Sequence, residues 1–128
     1  MLSWVSARAA EAPAKIGVEL NRLEDQGGKC RAYLVISNPG AAEFSGFPLD
    51  LVIFDRGGTI MHRLAVDVAP VRPAKTMVKV FDIPETACSA IGSILVNDVV
   101  HCRDASGDVA GCVDRLSVSS KLAVSLLK

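Results

Sequence analysis

A chain of 128 residues, half of them apolar, is the size of one domain and can bury a core of its own. Its 14 lysines and arginines balance 14 aspartates and glutamates, so it lacks the basic excess that nucleic-acid binders and anionic-membrane binders carry. The positive mean hydropathy argues against disorder, yet no run reaches the roughly 18 apolar residues needed to span a bilayer.

Residues 1–15 differ from the rest. They show no alternation, and Ala7-Arg8-Ala9 and Ala10-Glu11-Ala12 have the small-x-small form of a signal-peptide cleavage site, while the basic and long apolar parts of an export signal do not precede them. The segment reads either as a signal-peptide remnant or as a disordered arm. From Ile16 the period is two: Ile16, Val18 and Leu20 alternate with polar residues, and Glu24 to Gly28 supplies a turn. The next strand sets Cys30, Ala32, Leu34 and Ile36 on one face and ends at Asn38-Pro39-Gly40. A loop through Gly46 leads to two apolar arms around Asp55-Arg56-Gly57-Gly58, a hairpin with its turn written out. Leu49, Leu51 and Ile53 face one way in the first arm. Ile60, Leu64, Val66 and Val68 share a face in the second, with His62 among them.

Further strands are expected over Thr76 to Ile83, over Ile91 to Cys102 and over Cys112 to Val118, with Arg103 to Gly111 as a loop. Lys121 to Leu127 fits a helical turn or a strand, and the strand is the better fit. Seven to eight short strands with turn signals between them predict an all-β fold. The expected architecture is a single antiparallel β-sandwich over residues 16–128.

The four cysteines form no C-x-x-C pair, which gives little support to a zinc ribbon or a thioredoxin-like site and leaves disulfides or buried free thiols, with the compartment deciding between them. If Ile91 to Cys102 is extended, Cys88 and Cys102 lie on the order of 40 Å apart, at about 3.3 Å per residue, too far to bond. Cys102 and Cys112 bracket a short loop. The expected pairs are therefore Cys30–Cys88 and Cys102–Cys112, with Cys30–Cys102 as the rival.

Candidate chemistry is sparse. His101, Cys102 and Cys112, with Asp104 or Asp108, are the nearest approach to a metal site, against the usual set of three or four ligands at fixed spacing. His62 has no nucleophile with an identifiable partner near it and is expected at a strand end or sheet edge. Asp50, Asp55, Asp67 and Asp82 read as turn or solvated strand acids, and Gly57-Gly58 as a hairpin turn rather than a phosphate cradle. The exposed-apolar candidates are Trp4, Tyr33, Met77 and Phe81. Met77 and Phe81 share a row with Lys75 and Lys79, a mixed apolar and basic strip that offers a binding surface unless the N-terminal arm or the C-terminal strand covers it.

The segments YLVISNPG, FPLDLVIFDRGGTI and AP-VRPAKTMVKV resemble FxLyD-type and late-embryogenesis-like immunoglobulin-like modules of bacterial envelope proteins, through Asn38, Phe54, Asp55, Gly58, Pro73, Lys75 and Thr76. The match covers about half of the chain, and neither the cysteines nor the segment from Cys88 onward belongs to that pattern. The whole chain also resembles small exported bacterial proteins of uncharacterised function. Neither resemblance brings an activity. The function expected is a non-enzymatic periplasmic or secreted module, without cofactor, that binds or scaffolds another envelope component by strand addition or face packing at its sheet edges. The alternative is a metal-handling protein using His101, Cys102 and Cys112.

Overall fold

Alternation and two glycine turns lay down the hairpins from which the frame grows. The structure, a computed structural model, describes residues 15–128. The strands are β1 (Ile16–Gln26), β2 (Lys29–Asn38), β3 (Phe44–Gly46), β4 (Pro48–Asp55), β5 (Ile60–Asp67), β6 (Lys75–Ile83), β7 (Ile91–Val99), β8 (Arg103–Asp104), β9 (Gly107–Asp108), β10 (Leu116–Ser120) and β11 (Ser125–Leu127). Short 3-10 turns span Cys88–Ala90 and Cys112–Arg115, and no α-helix occurs among the described residues.

Gln26 pairs with Lys29 across Gly27-Gly28, whose φ angles of +56° and +87° are those a two-residue hairpin turn of the primed kind demands. At the second hairpin the Asp55 carboxylate accepts the N–H groups of Gly57 and Thr59, both at 2.9 Å, and Gly58 takes φ +82°. The turn closes on itself without outside help.

Two four-stranded sheets, ordered β10-β1-β2-β6 and β11-β7-β4-β5, turn their inner rows to a common core, and β3, β8 and β9 form a small third sheet. Ile16, Val18, Leu20, Leu34 and Ile36 from the first sheet meet Leu49, Leu51, Ile53, Ile94 and Val96 from the second, each at most 2% exposed. The end strands β5 and β6 meet along one side of the frame, and β10 and β11 along the other.

The structure departs from the sequence reading in several places. The sheets are mixed rather than purely antiparallel, because β10 runs parallel to β1 and β11 parallel to β7. The strand from Ile91 ends at Val99, since His101 turns the chain at φ +54°. The loop from Arg103 contains the β8–β9 ribbon, and the segment before Gly46 contains β3, which pairs with β8. Cys112 to Arg115 is a 3-10 turn, so the strand there starts at Leu116. The tail crosses from one sheet to the other. The Ser120 hydroxyl donates to the Val124 carbonyl at 2.6 Å and accepts the Leu122 N–H at 3.0 Å, holding a bend that leaves only Ser125–Leu127 as strand. The expectation for residues 1–15, Trp4 included, lies outside the described residues except at Lys15.

Where β7 passes the second hairpin, the backbones approach so closely that residue 92 must be glycine. A β-carbon there would lie 2.9 Å from Arg56 Cα and closer still to the Asp55 carbonyl oxygen, neither of which is a flexible side-chain end. Gly92→Ala is expected to lower stability by about 1–3 kcal/mol, read as a lower urea midpoint at an unchanged m-value.

Candidate binding surface

The four cysteines are bonded as Cys30–Cys88, with Cα atoms 5.0 Å apart, and Cys102–Cys112, at 6.3 Å. The bridges sit before and after β7, at opposite ends of the frame. Cys102 and Cys112 are thus joined to each other rather than offered as thiolates beside His101, and the described residues hold no group of three or more His, Cys, Asp or Glu side chains placed for a metal ion.

The polar side chains that come together do so as ion pairs and as hydrogen bonds to carboxylates. On the outer face of the second sheet Arg63 grips Asp50 twice, Nε to Oδ1 at 2.9 Å and Nη2 to Oδ2 at 2.8 Å, and Asn97 Nδ2 donates to Oδ2 at 3.0 Å. These donors hold the Asp50 carboxyl down to about 2, the Arg63 hydrogen bonds most and Asn97 next, against the opposing effect of burial. A group whose folded pKa lies below its ordinary value of about 3.9 stabilises the fold above that value. The contribution is lost as the pH falls through the folded pKa, so the window runs from about 4 to about 2. Asp50→Asn is expected to flatten the loss of stability across that window, measured as the urea midpoint at each pH. Beside this pair Pro48, Leu49, Ala65 and Val100 wall an open groove of about 340 Å³ that His101 also lines. The Arg63 Nε and Nη2 donors beside the groove are taken up by Asp50.

On the outer face of the first sheet the charges at one end are also matched. Asp82 takes Lys29 at 3.1 Å and Arg31 at 2.9 Å, and both hold its carboxyl below the usual range. Tyr33 donates to Glu24 at 3.2 Å, and the Arg22 guanidinium lies 5.7 Å from the centre of its ring. Tyr33 therefore belongs to a polar lattice shared with Glu24 and Arg22.

Beyond that lattice Val78 and Val80 make the outer face apolar, and the lysines of the same edge strand have no ion-pair partner among the described residues. Strand β6 pairs with β2 on one side and ends the sheet on the other. Its rows are assigned the reverse of the sequence reading. Met77 and Phe81 face inward and pack half-buried against the core, whereas Val78 and Val80 are 59% and 43% exposed. The cause is register. Lys79 lies opposite Leu34, Met77 opposite Ile36 and Phe81 opposite Ala32, all of which are inward residues of β2, and directly paired residues share a face. Lys75 and Lys79 thus stand in the inward row of a terminal strand, Lys75 exposed and Lys79 half-buried. Neither they nor Arg72 joins an ion pair among the described residues, and Arg72, Lys75 and Met77 border one shallow depression with Pro70.

Of the residues expected to form a surface, Lys75, Met77, Lys79 and Phe81 are therefore one row of the end strand, and Tyr33 lies on the neighbouring β2, on the outer face, opposite Val80. Sequence reasoning missed Val78, Val80 and Arg72. Buried Ile83, in the same row as Phe81, was the available sign of which row turns inward. His62 lies on β5, the end strand of the other sheet, opposite Ile53 and half-buried. The C-terminal strand does not cover β6, since β11 pairs with β7 in the other sheet. No known protein family, curated protein or solved structure matches the chain.

Proposed function

We propose that the chain is a non-enzymatic periplasmic or secreted immunoglobulin-like module, of the FxLyD type, that binds or scaffolds another envelope component along the flank formed by β5 and β6. The observation that carries the reading is β6 itself: a nine-residue strand, unpaired on one side among the described residues, with Val78 and Val80 exposed and two lysines without ion-pair partners. An edge of that length with two exposed valines in its outer row is a ready template for a partner strand. Two disulfides support a compartment in which thiols are oxidised. The order β1-β2-β6 facing β5-β4-β7 supports the immunoglobulin-like assignment, since it parallels strands A-B-E and C′-C-F of that fold.

The test is a photo-crosslinking residue placed at Val78 in cells that make the protein, with the same residue at Ser119 on β10 as the control. The expected result is an adduct with a second protein from position 78 and none from position 119. Adducts from both positions alike, or from neither, would remove the reading.

A further inference from the structure

The cations of this neutral chain are not evenly matched. At the hairpin end of the first sheet Arg22, Lys29 and Arg31 meet Glu24 and Asp82, whereas Lys75 and Lys79, two alternations apart on β6, meet no carboxylate among the described residues. Four residues of extended chain set their Cα atoms about 13 Å apart along the rim. A strand laid against β6 puts each of its side chains directly opposite one of β6 on the same face. The inward row it would meet reads Lys75, Met77, Lys79, Phe81, Ile83, and the outward row Thr76, Val78, Val80, Asp82.

We infer that the occupant of this edge is an extended acidic segment of another protein, with carboxylates on one face, opposite Lys75 and Lys79, and β-branched or aromatic residues on the other, opposite Val78 and Val80. The inference rests on the proposal that β6 is the contact and adds the chemistry of what it takes. Charge complementarity selects the segment, because opposite charges in directly paired positions are favourable and like charges are not.

The same row argues against a second copy of this chain. It contains no carboxylate, so in an antiparallel β6–β6 pairing that matches faces, each lysine meets another lysine, Met77, Phe81 or Ile83. Two of those registers, Lys79 on Lys79 and Lys75 on Lys79, place ammonium groups directly opposite each other. Lysines on an edge strand discourage indiscriminate pairing. Here their position also sets which strand is admitted.

The experiment uses the oxidised protein and synthetic peptides as long as β6, nine residues, alternating valine with glutamate, with lysine, or with serine. The expected result is saturable binding of the glutamate peptide, with amide shift changes centred on β6. Affinity for the lysine and serine peptides should be weaker by about tenfold or more, a difference of about 1.4 kcal/mol. Methylating alternate peptide nitrogens, which removes donors from the new ladder, should abolish binding. Lys75→Glu/Lys79→Glu, both at the rim, should leave the thermal midpoint unchanged and reverse the preference toward the lysine peptide.

Equal affinity for the three peptides overturns the inference. So does tighter binding to phosphatidylglycerol vesicles or to a single-stranded oligonucleotide than to the glutamate peptide, or dimerisation through β6 in sedimentation. If Val78 cross-links to a cellular protein while no glutamate peptide binds, the acidic-strand chemistry fails and the contact at β6 stands. If position 78 gives no adduct either, both fail.

Discussion

Replacing Cys30 and Cys88 together by alanine is expected to cost about 4 kcal/mol of stability. The bridge closes a loop with a sequence separation of 58, and in the chain-entropy account the benefit grows with the logarithm of loop length. Cys102–Cys112, with a separation of 10, is worth about 3 kcal/mol in the same account, so its removal should be the milder change. The long staple also joins the two sheets. Cys30 is fully buried on β2, while Cys88 opens the turn into β7, where its N–H donates to Asp25 Oδ1 at 2.8 Å. Domains of this size are stable by about 5–15 kcal/mol in total, so the double variant should lose a large share of its margin and melt on the order of 15 °C lower. Urea unfolding of the two double variants side by side checks this. An equal cost for both bridges would contradict the argument from loop length.

Phe47→Ala is expected to cost about 3–5 kcal/mol, the range for an aromatic side chain removed from a core. Phe47 is 0% exposed and Phe44 1%, and their rings meet edge to face with centroids 5.2 Å apart. Such a pair contributes about 0.5–1.5 kcal/mol beyond the area it buries. The residue also sits at a backbone junction: its N–H donates to Asp67 Oδ1 at 2.9 Å and its carbonyl accepts the Val68 N–H at 3.1 Å. Phe44 exchanges backbone hydrogen bonds with Val71, both at 2.9 Å. Losing the ring therefore loosens the corner where β3, β4 and the chain after β5 converge. Phe47→Leu, which keeps most of the apolar volume, should recover more than half of the loss, as read from thermal and urea midpoints.

How much of this was legible in the sequence depends on whether the signal was local. The β1–β2 and β4–β5 hairpins were legible because their turns need residues that few other contexts demand, Gly27-Gly28 in one and Asp55 with Gly58 in the other. The inward rows of β1 and β2 were legible because Ile16, Val18 and Leu20 in one and Cys30, Ala32, Leu34 and Ile36 in the other recur at every second residue. The orientation of β6 was not. Lys, Met, Lys, Phe in one row and Thr, Val, Val, Asp in the other give little hydrophobic contrast, and only pairing with β2, about 45 residues away, settles which row turns in. The parallel placement of β10 is non-local in the same way, since Ile16 meets Leu116 with no turn between them to announce it. The candidate surface inherits that difficulty. Its lysines were visible, but the exposed valines Val78 and Val80 that complete it were not among the expected surface residues.

The account as a whole rests on an oxidised frame that holds an edge open, and counting thiols tests it most directly. Protein purified without reductant, with free thiols blocked, is unfolded in guanidinium and titrated with a thiol reagent. The expected count is zero, and mass mapping of the unreduced protein should return Cys30 joined to Cys88 and Cys102 joined to Cys112. Two or more free thiols would contradict the stapled frame and the oxidising compartment together, and would return His101, Cys102 and Cys112 to consideration as a metal site.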